Sequence, residues 1–128
     1  MAMSIETLPQ GFEAQLFGAL VEQYSAMPET DQQDRWLTLE AAHVLGQTRL
    51  APHLRVHDLM LALAWEAGDW REVSGQLFRI VLVPLGHLTG RLPLGNPGKA
   101  DVSAFKSMPV RPELAHLISL ARKSLQTA

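Results

Sequence analysis

The sequence predicts an all-α fold of about five helices arranged in antiparallel hairpins, and three observations predict it. Apolar residues recur at three- and four-residue spacings, not in the strict alternation of a half-buried strand. Pro, Gly and capping residues punctuate the chain at intervals that suit ordinary globular helices. No convincing strand pattern occurs along the 128 residues. That length is close to the commonest domain size, so one domain over residues 1–128 is expected, with termini that fray.

The first helix is expected from about Gly11 to Ala26, stopping before Pro28. The second opens at Thr30 or Asp31, where Thr30 and Gln33 have capping-box spacing, runs from Gln32 to Leu45, and closes at Gly46. Pro52 suits the first position of a third helix, His53 to Ala67, which Gly68 ends. Asp69 caps the fourth helix, with Glu72 three residues on, and Pro84 stops it at Val83 by removing an amide donor. A loop through Gly95-Asn96-Pro97-Gly98-Lys99 follows, with Asp101 or Ser103 capping a short segment through Phe105. The last helix runs from Pro112 to Leu125. Asp34-Arg35-Trp36 and Asp69-Trp70-Arg71 lie 35 positions apart, close to the tetratricopeptide period, so tetratricopeptide-like packing of helix pairs is expected.

Composition narrows the function classes. A hydrophobic fraction of 47% with 19% charged residues is ordinary for a globular chain. There is no cysteine, which removes disulfides, thiolate metal ligands and cysteine nucleophiles. The first basic residue is Arg35, so a secretory leader is not expected, and the apolar stretches are too short to span a bilayer. A cytoplasmic location follows as the expectation. Residues 1–34 hold six acids and no Lys or Arg, whereas residues 71–128 hold eight basic and three acidic residues. The two ends should attract one another, within a chain or between the copies of a homodimer. The basic part lacks a dense run and interleaved aromatics, which argues against nucleic-acid binding.

The core-facing stripes carry polar residues. On a helical wheel Trp36, Leu37, Leu39 and Val44 form the apolar face of helix two, and Glu40, His43 and Gln47 fall in its middle. In helix three His53 and His57 sit at the centre of an arc made by Leu54, Val56, Met60, Leu61, Leu63 and Ala64. Helix four offers Trp70, Val73, Leu77, Phe78, Ile80 and Val81, with Gln76 at the edge of that arc. Trp36, Leu39, Met60, Leu61, Leu77 and Ile80 are therefore the expected shared core. A short connection between helices two and three brings His43 level with His53, and Glu40 near His57.

Buried carboxylates and imidazoles without partners are costly, so this cluster demands compensation. One answer is a divalent transition metal held by Glu40, His43, His53 and His57, because pairs at i,i+3 and i,i+4 converge from one helix face. The other is a hydrogen-bonded network with Gln47 and Gln76 that locks the hairpin register. His87 and His116 look isolated and receive no role. No nucleophile, phosphate loop or cofactor fingerprint accompanies the cluster, so no catalytic residue is assigned and the reading leans against an enzyme.

Taken together, Glu40-Ala-Ala-His43-Val-Leu-Gly-Gln47, His53-x-x-x-His57, Asp69-Trp-Arg-Glu-Val-Ser-Gly-Gln76, Leu94-Gly-Asn96 and Val102-Ser-x-Phe-Lys-x-Met-Pro109 resemble a bacterial family, domain of unknown function 3703, over roughly residues 35–112. The resemblance implies that Glu40, His43, Gln47, His53, His57 and Gln76 are motif positions; it supplies no activity. The family loop reads Gly-Asn-x-Gly-Gly, whereas this chain has Lys99, which weakens an anion-binding role for the loop amides. The leading expectation is a small non-catalytic helical module that binds a protein partner or a second copy of itself. The alternative is a transition-metal-binding protein.

Overall fold

The computed structural model describes residues 12–127. Five helices follow in order: α1 (Ala14–Ala26), α2 (Gln32–Gly46), α3 (Leu50–Glu66), α4 (Trp70–Thr89) and α5 (Pro112–Thr127). Among the described residues there is no strand, and no helix is long and apolar enough to cross a membrane. The first helix starts at Ala14 with Glu13 as its N-cap, later than the expected start near Gly11, because Phe12 and Glu13 are not helical; Gly11 itself and the extreme ends expected to fray lie outside the described residues.

The other helix boundaries follow local chemistry, with three further departures from expectation. A turn closed by the Asp31 amide on the Pro28 carbonyl makes Asp31 the N-cap of α2, so the Thr30–Gln33 capping box does not form. Helix α3 begins at Leu50, one turn before His53. Pro52 then lies in the first turn, where its missing N–H is one of the four that have no intrahelical acceptor. Pro84 does not end α4 but lies inside it. Its ring holds φ near the helical value, so the helix loses one hydrogen bond and continues. The true stop is Gly90, at φ +71, where the Arg91 amide reaches back to the Gly86 carbonyl in a Schellman closure. At the other end of α4 the Asp69 side chain accepts from the Glu72 amide at 3.1 Å, as its cap spacing requires.

Helix α2 is the hub, packing against α1, α3 and α5, while α4 packs on α3. Every residue from Thr38 to Gln47 is buried, which is why this stretch combines the small Ala41, Ala42 and Gly46 with polar side chains that find partners. A Cβ on Gly46 would stand 2.8 Å from the Phe17 ring, so glycine here sets how closely α1 approaches. The main core joins Leu16, Leu20, Leu39, Val56, Met60, Leu63 and Leu114. Buried Arg35 fastens the same helices, donating to the Tyr24 hydroxyl and pairing with Glu66 at 3.2 Å. The acidic and basic ends of the sequence meet within the chain, where Arg122 on α5 pairs with Glu13 at 3.1 Å.

The expected core is only partly correct. Leu39 and Met60 are fully buried and Trp36 packs against the core from its edge, but Leu61 and Ile80 are half-buried and Leu77 is 51% exposed. Helix α4 is turned by roughly a third of a revolution from the orientation its apolar arc suggests. It buries Glu72, Val73, Gln76, Arg79 and Val83, and leaves Phe78, Val81, Leu85 and Leu88 outside. The reason is the company it keeps: the inward face meets histidines and loop carbonyls, which need polar partners more than apolar ones.

Candidate metal centre

Residues 90–111 connect α4 to α5 without regular secondary structure. A loop of this length inside a packed structure calls for an explanation. It is fastened at several points by buried side chains. Gln47 donates to the Pro93 carbonyl at 2.9 Å and accepts from the Gly95 amide at 3.0 Å. Asn96, 1% exposed, donates to the Ser103 and Lys106 carbonyls and accepts from the Gly98 amide. Glu72 accepts from the Ala100 amide, and Arg79 donates to the Val102 carbonyl. Lys99 places its ammonium 4.9 Å over the Trp36 ring, a cation–π contact that packs the loop against α2.

Under this loop lie the histidines. His43 comes from α2, and His53 and His57 come from one face of α3, a turn apart. All three are buried, and their potential ligand atoms lie within 4.8 Å of one another. Nε2 of His43 is 3.1 Å from Nε2 of His53 and 3.1 Å from Nε2 of His57. Gly98 completes the enclosure: its φ is +89, and a Cβ there would stand 2.5 Å from the His43 ring.

The outer nitrogens determine where the protons are. His43 Nδ1 is 2.7 Å from the Asn96 carbonyl oxygen, which can only accept, so His43 donates from Nδ1. Gln76 Nε2 donates to Glu72 Oε2 at 2.8 Å and to the Gly98 carbonyl at 3.1 Å, which fixes its amide so that Oε1 accepts from His57 Nδ1 at 2.7 Å. Neutral His43 and His57 therefore both present bare Nε2 lone pairs, and these face each other at 3.1 Å. His53 has His87 Nε2 3.0 Å from its Nδ1 and can donate there, exposing its own Nε2.

A proton between the rings would relieve the opposed lone pairs only by creating a buried imidazolium. Burial opposes that strongly. It holds His53 down to about 3 and His57 down to about 4, and it puts His43 well below the ordinary histidine value. The neighbouring rings push His43 and His53 further in the same direction. Three inward lone pairs, each backed by a satisfied outer N–H, match what a metal-bound histidine needs in ligand and in supporting hydrogen bond. Tetrahedral coordination at zinc–nitrogen distances sets ligand nitrogens about 3.3 Å apart, close to the two observed separations.

Of the sequence-derived cluster, the structure brings together His43, His53 and His57, with Gln76 directly bonded to His57. Gln47 serves the loop. Glu40 is placed elsewhere: its carboxylate receives Arg111, tying α2 to the residue before α5, and it does not belong to the group of converging ligand atoms. Burial raises the Glu40 pKa, and Arg111 opposes that rise. His87 is not isolated, because it abuts His53, whereas His116 is exposed on α5.

Sequence reasoning missed Asn96, Glu72, Gly98 and Arg79 as supports of this site. A signal existed for His87: a hairpin turning at Gly68 puts residues 15 before and 19 after the turn within about one helical turn of each other. For the loop residues the only hint was the Gly-Asn-Pro-Gly run itself.

A cavity of about 230 Å³ adjoins the three histidines. Its apolar wall includes Leu82, Val83, Leu92 and Phe105, and Arg79 and Arg91 also line it. Three protein nitrogens on a transition metal leave at least one coordination position for another ligand, and this cavity is the space beside them.

Comparison with known proteins gives one match. A family model described as protein of unknown function (DUF3703) matches residues 12–118, a wider span than the motif segments alone cover. No curated protein and no solved structure gives a significant match.

Proposed function

We propose that this chain, which belongs to the DUF3703 family, is a transition-metal-binding protein whose ligands are Nε2 of His43, His53 and His57. The observation that carries the reading is the lone-pair convergence. Two buried rings with protons fixed on Nδ1 face each other at 3.1 Å through unprotonated nitrogens, and burial keeps a proton out. A divalent ion resolves that conflict, and three neutral imidazoles suit zinc, iron, cobalt, nickel or copper better than calcium or magnesium. The bound ion would act as a Lewis acid toward a ligand in the cavity. Glu40 is set aside as a ligand in favour of Arg111.

The test is elemental analysis of protein purified without a histidine tag, followed by titration of the chelator-treated protein with zinc or cobalt. One equivalent is expected, lost in His43→Ala and in His57→Ala proteins whose circular dichroism still shows a folded helical chain. Folded wild-type protein that takes up neither ion at micromolar concentration would refute the reading.

The second reading is self-association through the outward face of α4. Phe78, Val81, Leu85 and Leu88 have alternating three- and four-residue spacing and are at least half exposed, the pattern of a helix that pairs with a second copy. Light scattering of wild type against Val81→Glu tests it. A monomeric wild type would remove this reading and leave the first untouched.

A further inference from the structure

The cavity beside the histidines has a chemical character of its own. Its lining combines a mostly apolar wall with Arg79 and Arg91, and no Asp or Glu lines it. Arg79 is buried, and burial lowers its pKa while Glu72 and Asp101 oppose that fall. Among the described residues neither arginine forms an ion pair. The guanidinium of Arg79 donates to the Gly75 and Val102 carbonyls, which uses two of its five N–H donors. With a divalent ion on three neutral imidazoles and the two arginines, the site keeps a net positive charge even after the nearby Glu72 and Asp101 are counted. Charge of that kind selects an anion, and low-dielectric walls sharpen the selection.

The volume sets the size of the ligand. A cavity of about 150 Å³ accommodates benzene, so one of 230 Å³ suits roughly nine non-hydrogen atoms. Bulky polar ligands such as nucleotides or sugars exceed that limit and find few polar groups on Leu82, Val83, Leu92 and Phe105. A bare inorganic anion would leave the apolar wall uncovered.

Resting on the metal-site reading, we propose that this cavity binds a small apolar monocarboxylate of the size of benzoate or hexanoate. Its carboxylate takes the open coordination position and is offset in charge by Arg79 and Arg91, and its hydrocarbon body lies against Leu82, Val83, Leu92 and Phe105.

The experiment uses the full chain loaded with cobalt(II), whose visible absorption reports both occupancy and a change of ligand. Benzoate and hexanoate are titrated in, beside benzamide as the neutral isostere and inorganic phosphate as an anion without an apolar body. Equilibrium dialysis with labelled benzoate accompanies the spectra. Saturable spectral change and dialysis binding at one equivalent are expected for both carboxylates. Benzamide should bind about tenfold more weakly or worse, because it forfeits the charge-assisted contact. Arg91→Gln should weaken benzoate about two- to fivefold at unchanged cobalt stoichiometry, the range for a solvent-screened charge. Cobalt bound normally with no binding of benzoate or hexanoate would overturn this inference alone. Phosphate binding as tightly as benzoate would overturn it as well, leaving a general anion site. Absence of cobalt binding would overturn the metal site and this inference together.

Discussion

Gly98 and Gly68 share a left-handed backbone, at φ +89 and +65, but differ in their surroundings. A Cβ on Gly68 would meet nothing within 4 Å, whereas one on Gly98 would stand 2.5 to 2.8 Å from three atoms of the His43 ring. Gly68→Ala therefore measures the backbone cost alone, about 1 to 2 kcal/mol for an L-residue in this region. Gly98→Ala carries the same cost plus the displacement of a ring held by the Asn96 carbonyl, an overpacking penalty of about 1 to 3 kcal/mol. Urea denaturation of the two variants should show Gly98→Ala less stable than Gly68→Ala by at least about 1 kcal/mol. Zinc titration adds a second readout, because displacing the His43 ring degrades coordination: affinity should fall at least about tenfold in Gly98→Ala and stay unchanged in Gly68→Ala. Equal stability losses and equal zinc affinities would refute the claim that the loop glycine sets the position of this ligand.

Further consequences are open to direct measurement. Removing the Gln76 amide by Gln76→Leu takes one partner each from His57 Nδ1, Glu72 and the Gly98 carbonyl, and should lower zinc affinity about 10- to 100-fold; unchanged affinity would contradict the support role. Gly18 lies within α1, with open space where a Cβ would go, so Gly18→Ala should raise stability by about 0.5 to 1 kcal/mol in thermal melts. In metal-free protein, His53 and His57 stay neutral well below the pH at which unfolded histidine protonates. The unfolded chain therefore takes up protons that the folded chain refuses, and stability is full above pH 7 and falls from about pH 6.5 downward. At pH 5 each group should cost about 2 kcal/mol, and a urea midpoint flat between pH 7.5 and 5 would contradict their burial as neutral rings. Added zinc at 100 times its dissociation constant should add about 2.7 kcal/mol at neutral pH, read as a rise in melting temperature that chelator reverses.

What could be read from the sequence was local or depended on a short connection. The His53–His57 pair shares a helix face by spacing, and the three residues between α2 and α3 leave His43 little choice but to meet it. Glu40 shows the limit of that logic. Its wheel position lies close to that of His43, but the direction in which its carboxylate leans is decided by Arg111, 71 positions away, where no periodicity connects the two. Helix α4 shows a second limit. Its apolar arc is real, but it was the polar set Glu72, Gln76 and Arg79 that had acceptors and donors waiting inside, and unsatisfied buried polar groups outweigh a few exposed aliphatic chains. The loop was legible only as a loop, because Asn96 acts on main-chain groups of Gly98, Ser103 and Lys106, which have no side-chain signature.

The three rings of the cluster differ in what a point mutation can reach. His57 takes its orientation from a side-chain amide, and His53 has only a second imidazole beside its outer nitrogen, so a single codon change removes either support. His43 is aligned by the main-chain carbonyl of Asn96, an atom that every amino acid supplies. Substitution at position 96 can loosen the path of the loop but cannot delete that acceptor. Drift in the sequence can therefore retune the two ligands on α3 separately, by exchanging Gln76 or His87, while the ligand on α2 keeps its tautomer as long as the loop closes. Variation among relatives should accordingly be freer at His87 than at Gln76 or in the glycine and asparagine that bring the Asn96 carbonyl to His43.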